Sequence, residues 1–247
     1  MKKLFEGKVA LITGAGSGIG QASALSYAAN GAKVIVSDIK ENDTVAKIKA
    51  AGGEASFFQT DVSVAIECAQ LMKYSIDTYG KIDIAFNNAG ILGEINPIAD
   101  MSIEGFEKVI QVNLNGVFYC MKFEIEQMLK QGDGVIVNTA SILGTVGFGS
   151  FSGYVAAKHG VVGLTQNAAM EYSSKGIRIN CVAPGFINTP LLGSMDQKSK
   201  DALAAKHPIG RLGIPEEVAA LVIWLSSDEA SYATGGYYPI DGGYLTN

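Results

Sequence analysis

The sequence predicts an α/β fold in which a doubly wound parallel sheet carries helices on both faces. Three observations predict it. Short apolar runs alternate with stretches of helical pattern along the whole chain, which is the signature of successive βαβ units. The first apolar run, residues 9–12, stops in glycines and restarts as a helix. Polar residues then collect where later strands end, at the edge where such sheets bind ligands.

Each element follows in order. After the strand at 9–12, glycine stands at Gly14, Gly16, Gly18 and Gly20, with Ser17 and Ile19 between them. Free N–H groups at the positive end of the next helix (21–30) suit a phosphate, and the glycines let a pyrophosphate approach the backbone. The spacing Gly14-x-x-x-Gly18-x-Gly20 departs from Gly-x-Gly-x-x-Gly, since Ile19 stands where the last glycine would fall. A tight strand–helix turn that binds nothing has the same look, so the rest of the chain decides.

The second strand, 33–37, ends at Asp38. That is near the ~20-residue offset at which an acidic residue accepts from adenosine ribose hydroxyls. A carboxylate there repels a 2′-phosphate and selects NAD over NADP, and no arginine follows to overrule it. The alternative for Asp38 is a turn or N-cap residue. A helix at 44–51, a strand at 55–59 and a helix at 64–79 come next. Asp61 and Val62 follow the strand at 55–59 at the C-terminal edge of the sheet, where Asp61 can accept from an adenine amino group. The strand at 82–86 runs into Asn87-Asn88-Ala89-Gly90, a small backbone over which a cofactor can lie.

Residues 101–130 read as largely helical, yet they contain Gln111-Val112-Asn113-Leu114-Asn115-Gly116. Two asparagines and a glycine cost stability in a helix interior, so a local break or a buried polar network is expected. The strand at 135–138 leads to Thr139-Ala140-Ser141. A helix at 153–174 carries Tyr154 and Lys158, which i, i+4 spacing places on one face. A phenol is a poor base near neutral pH, and an ammonium one turn away favours its phenolate. The pair then suits proton exchange with an alcohol or ketone, although an isolated Tyr-x-x-x-Lys is more often a core tyrosine and a solvated lysine. A strand at 177–183, a helical stretch at 191–207, a helix at 215–226 and a last strand at 237–240 complete the chain.

Composition narrows the class. Among 247 residues, 48% are hydrophobic and 17% charged, enough to bury a large core with a modest polar surface. A net charge of −5 argues against nucleic-acid or anionic-membrane binding. No apolar run approaches the ~20 residues of a membrane span, and the N-terminus lacks a signal-peptide core. Cys68, Cys120 and Cys181 are odd in number and widely spaced, which predicts reduced thiols in a cytoplasmic protein. His159 and His207 have no ligand cluster around them, so no metal site is expected.

Taken together, Thr13-Gly14-x-x-x-Gly18-Ile19-Gly20, Asp61-Val62, Asn87-Asn88-Ala89-Gly90, Asn113, Ser141, Tyr154-x-x-x-Lys158, Pro184-Gly185 and Asp241-Gly242-Gly243 resemble the short-chain dehydrogenase/reductase family over essentially the whole chain. The resemblance implies one Rossmann-type domain over 1–247 with about seven strands, a nicotinamide cofactor and a homotetramer. It implies Tyr154 as general acid/base, Lys158 as the group that lowers its pKa and binds the nicotinamide ribose, and Ser141 as a hydrogen-bond partner of the substrate oxygen. Asn113 would hold a water linking Lys158 to solvent. The backbone at Ile187 and the hydroxyl of Thr189 would hold the carboxamide, beside Pro184 and Gly185. Enoyl reductases of the superfamily place the lysine farther from the tyrosine, so C=C reduction is disfavoured.

The candidate substrate lining is apolar: Ile91, Leu92, Ile142, Leu143, Phe148, Phe151, Phe186, Leu191, Leu192 and Met195. It predicts a hydrophobic or cyclic secondary alcohol or ketone, covered by a lid around 188–210. A 3-oxoacyl-carrier-protein reductase is the alternative, opposed by Asp38 and the negative charge. A non-catalytic NAD-sensing scaffold is opposed by the intact Asn113-Ser141-Tyr154-Lys158 set.

Overall fold

The computed structural model describes residues 3–193 and 195–246. Seven strands form one sheet: β1 (Val9–Thr13), β2 (Lys33–Asp38), β3 (Glu54–Gln59), β4 (Ile84–Asn87), β5 (Gly134–Thr139), β6 (Ile177–Pro184) and β7 (Tyr237–Ile240). Their order is β3-β2-β1-β4-β5-β6-β7, and every pairing is parallel. Parallel strands need crossovers, and the intervening helices supply them. These are α1 (Gly18–Ala29), α2 (Thr44–Ala50), α3 (Ala65–Tyr79), α4 (Ile103–Ile110), α5 (Gly116–Gln131), α6 (Ser152–Tyr172), α7 (Gln197–Ala204) and α8 (Pro215–Ser226).

The pleat divides the strand side chains between two cores. In β1, Ala10 and Ile12 join Tyr27, Val218, Val222 and Leu225 on the α1–α8 face. Val9 and Leu11 join Leu71, Met121, Ile125 and Val161 on the face covered by α3, α5 and α6. Burial on both faces explains why β1 reads as a continuous apolar run, without polar alternation.

The expected break in the long helix is a π turn, Gln111–Asn115, between α4 and α5. It turns Asn113, fully removed from solvent, toward the loop after β4. The helix begins later than the pattern suggests, at Ile103, because the Ser102 hydroxyl accepts the Gly105 N–H at 2.9 Å and caps it. The segment around 188–210 resolves into a 3-10 turn, Pro190–Leu192, and α7, which Asp196 caps by accepting the Ser199 N–H.

The helix that presents the glycine turn is anchored from behind. Tyr27 on α1 meets the Ser226 hydroxyl of α8 at 2.6 Å in the core, and Ser226 donates in turn to Val222 O. Tyr27→Phe leaves the ring packing intact and removes one buried hydrogen bond. The expected cost is about 1 kcal/mol, a fall of about 3 °C in the midpoint of thermal unfolding. An unchanged midpoint contradicts this anchoring.

Candidate active site

The glycine turn is built by close approach. A Cβ on Gly20 would stand 2.1 Å from Gly14 O, and one on Gly14 would stand 2.7 Å from Ala89 Cα. Gly14 and Gly18 also take left-handed φ angles of 61° and 52°. Asn88 pins the turn by donating from Nδ2 to Thr13 O at 3.2 Å and Gly14 O at 3.0 Å. Thr13 Oγ1 accepts the N–H groups of Asn88 and Ala89. The Asn88 side chain thus serves the scaffold, while its main chain and those of Ala89 and Gly90 border the groove. Ser17, the N-cap of α1, makes no side-chain cap, so the positive helix end stays open toward an anion.

A groove of about 530 Å³ leads from this turn past Asp38, Asp61 and Val62, with Ile19, Thr189 and Leu191 on its walls. Asp38 Oδ2 accepts the Gly16 N–H at 2.8 Å, and a Cβ on Gly16 would strike the same oxygen at 2.7 Å. The acid predicted to meet the ribose therefore sits directly against the glycine turn. Asp61 Oδ1 is occupied by the N–H and hydroxyl of Ser63 at 2.9 and 2.6 Å. Gly18 faces Thr189, whose Cγ2 would lie 3.1 Å from a Cβ there, so the chain before the 3-10 turn rests on the glycine turn.

The second part of the site gathers at the ends of β5 and β6. Lys158 is buried, and its Nζ donates to Thr139 O at 2.6 Å. Its ammonium also lies 5.5 Å from the centre of the Tyr154 ring. Burial lowers the Lys158 pKa to about 8. Tyr154 is hydrogen-bonded to Ser141, which pulls its phenol down, but desolvation is larger and holds the phenol above its ordinary value. Lys158 was expected to lower the phenol; in the protein alone burial raises it, and the group that pulls it down is Ser141. Asn113 Oδ1 accepts the Ile91 N–H and its Nδ2 donates to Ile91 O, both at 2.8 Å, so its side chain ties the π turn to the loop after β4.

An apolar cavity opens beside Ser141 and Tyr154. Leu143, Phe151, Phe186, Leu191 and Leu192 wall it, with Pro184, Gly185, Ile187 and Thr189 at its border with the groove. Phe148 and Met195, also expected in the lining, stand elsewhere. Phe148 packs edge-on against Phe151 and Phe186, with ring centres 5.2 and 5.7 Å away. Met195 follows the 3-10 turn, its N–H bonded to Leu192 O. The loop 144–151 brings Phe151 to the cavity with Phe148 behind it.

Three contributors escaped the sequence reading. Thr139 acts through its carbonyl, which no side-chain pattern reveals. Tyr237 donates its hydroxyl to Ser141 O at 2.9 Å from the last strand. His207 accepts the Phe186 N–H at Nε2, 3.2 Å, and bonds Leu203 O through Nδ1, which joins the end of α7 to the cavity wall. A lone histidine directly before Pro208 was the available signal.

A family model described as Enoyl-(Acyl carrier protein) reductase matches residues 14–245. Cyclohexanol dehydrogenase of Acinetobacter sp. (strain SE19) is 51% identical over 249 residues, spanning 100% of this chain and 98% of that one. Cis-4-hydroxycyclohexanecarboxylate dehydrogenase of Sinomonas cyclohexanicum is 41% identical over 246 residues, spanning 99% of each. The crystal structure of levodione reductase superposes with a TM-score of 0.94 at 41% identity, covering 98% of this chain and 99% of that one. The chain belongs to the short-chain dehydrogenase/reductase family, and it is an oxidoreductase acting on CH–OH groups. The family carries a nicotinamide cofactor, and the glycine cradle with its open helix end fits one.

Gly20→Ala tests that cradle. The added methyl collides with the Gly14 carbonyl, so the turn must open. Dinucleotide affinity is expected to fall at least about tenfold, read by fluorescence titration, while far-UV circular dichroism is retained. Unchanged affinity contradicts the placement of the cofactor on this turn.

Proposed function

We propose that the protein is an NAD-dependent dehydrogenase of cyclic secondary alcohols, reversible toward the ketones. One observation carries the reading: Ser141 and Tyr154 stand at an apolar cavity in which, among the described residues, Lys158 is the only charged side chain. A substrate there offers one oxygen to the two hydroxyls and an uncharged hydrocarbon body to Leu143, Phe151, Phe186, Leu191 and Leu192. The names of the relatives, cyclohexanol dehydrogenase above all, support a ring as that body.

A nicotinamide cofactor, when bound, would supply the hydride acceptor and a positively charged ring. Gly14, Gly16, Gly18, Ile19 and Gly20 would hold its pyrophosphate, Asp38 its adenosine ribose, and Asp61 and Val62 its adenine. Asn88, Ala89, Gly90, Pro184, Gly185, Ile187 and Thr189 would line the nicotinamide half. In oxidation Tyr154, as phenolate, takes the proton of the alcohol while Ser141 donates to the same oxygen. Lys158 offsets the charge on the phenolate. Asn113, its side chain held on Ile91, serves the relay that returns the proton to solvent.

Asp38 beside Gly16 supports NAD over NADP, because a 2′-phosphate would meet a carboxylate. Three free, buried thiols support a reducing, cytoplasmic setting. Among the described residues no helix is long and apolar enough to cross a membrane. Exposed Ile103 and Phe106 on α4, Phe118 on α5 and Met170 on α6 support a homotetramer with these helices at its contacts.

The test is steady-state oxidation of cyclohexanol with NAD and NADP in parallel, alongside reduction of a 3-oxoacyl thioester. Turnover with NAD is expected to exceed that with NADP at least about tenfold, and Tyr154→Phe to lower kcat by about 10²–10⁴. Preferred turnover of the thioester with NADPH contradicts the proposal, as does a Tyr154→Phe variant of full activity.

A further inference from the structure

Among the described residues two carboxyl side chains lie in the interior, and they are treated differently. Asp83 accepts the Val9 N–H and pairs with Lys8 and Lys81. Glu124, on the inner face of α5 and 1% exposed, has no cation to offset its burial. Its Oε2 accepts from Asn87 Nδ2 at 2.9 Å. The same Asn87 nitrogen donates at 3.1 Å to Asn138 Oδ1. Both Asn87 amide hydrogens are thereby used.

Two buried oxygens of this acid–amide pair are left without a partner, Glu124 Oε1 and Asn87 Oδ1. With a carboxylate, both are acceptors in dry surroundings, and neither can satisfy the other. A carboxylic acid resolves both at once, since its hydroxyl donates to the amide oxygen while its carbonyl accepts from the amide nitrogen. We propose that Glu124 is a protonated positioning residue whose O–H donates to Asn87 Oδ1, closing a two-bond ring that fixes the ends of β4 and β5 beneath the reaction site.

The ring sits where it can act on the site. Asn87 ends β4 and leads directly into the Asn88 that pins the glycine turn. Asn138 precedes Thr139, whose carbonyl holds Lys158. Asn138 Nδ2 donates onward to Thr165 Oγ1 at 2.9 Å, and Thr165 donates to Val161 O on the helix that bears Tyr154 and Lys158. A chain of polar contacts thus runs from α5 through β4 and β5 to α6. The kinetic consequence rests on the dehydrogenase reading; the protonation of Glu124 does not.

Burial raises Glu124 to about 8. Besides Glu124, the buried titratable side chains on α3, α5, α6 and β6 are Cys68, Cys120, Lys158 and Cys181. Cys120 is held well above its ordinary value by its bond to Cys68 and by burial, and burial pushes Cys181 up to about 12. Lys158, the cation among them, spends its Nζ on Thr139 O. A raised acid means that the folded chain keeps a proton the unfolded chain has lost. Stability attributable to Glu124 therefore falls as pH rises from the ordinary glutamate range to about 8, and the slope ends there.

The experiment compares the intact protein with Glu124→Gln and Glu124→Ala, reading thermal midpoint against pH, kcat and KM for NAD and cyclohexanol, and the infrared carbonyl band of a protonated carboxyl. The glutamine amide can close the same ring, leaving one surplus N–H, so the slope and not the absolute midpoint is compared. From about pH 5 to about pH 8 the wild-type midpoint is expected to fall relative to Glu124→Gln, whose profile lacks this slope. Glu124→Gln should keep kcat within about twofold and lack the carboxyl band, whereas Glu124→Ala should lose about tenfold in kcat. Parallel midpoint profiles, no protonated-carboxyl band in the wild type, or a Glu124→Gln variant as impaired as Glu124→Ala would overturn the proposal. Should the wild type oxidise no alcohol, the dehydrogenase reading fails, and the midpoint profiles and infrared band still decide the protonation.

Discussion

The buried ammonium of Lys158 is the constraint on which the rest of the site depends. An amine removed from water this completely is expensive to charge, and its pKa drops to about 8 as a result. At about 8 it still stays mostly charged at neutral pH, and Thr139 O accepts from it at 2.6 Å. That carbonyl is available because β5 ends there, where the strand's last main-chain groups turn from the sheet toward the site. Lys158 in turn places a positive charge beside the Tyr154 ring, one helical turn away. The placement of the ammonium beside the phenol thus begins with a strand end.

The topology supplies the other half. Strand order runs outward in opposite directions from the adjacent pair β1 and β4, so the loops after these two strands part and leave a crevice at their carboxyl ends. The glycine turn and the Asn88–Gly90 loop are those two loops, held together by Thr13 and Asn88. The π turn brings Asn113 onto Ile91 from above. The groove at the glycine turn and the apolar cavity therefore share one edge of one sheet, and Thr189 and Leu191 border both.

Much of this was legible in the sequence because it is local or periodic. Seven apolar runs became seven strands, and Asn113 marked a real interruption of the helix. Tyr154 and Lys158 share a face because four residues make about one turn. What stayed hidden depends on distant partners. Glu124 follows Lys122 and precedes Glu126, which pair with each other outside, so it reads as part of a solvated face. Its register on α5 says otherwise: Val117, Cys120, Met121, Ile125 and Met128 share its buried side. Phe148 and Phe151 could not be ranked without the path of their loop. The net direction of the Tyr154 shift also required the burial, since the lysine's charge alone points the other way.

The central claim is that a buried lysine tunes a tyrosine for proton exchange with an alcohol. The most direct measurement is the pH profile of kcat for alcohol oxidation with NAD in the wild type and in Lys158→Met, which keeps the stem and removes the charge. The account predicts a rate that rises with pH, since Tyr154 must be ionised to take the proton. Lys158→Met should show a loss of about 10²–10⁴ near neutrality and a rising limb displaced to higher pH. A variant with the wild-type limb and rate would contradict it.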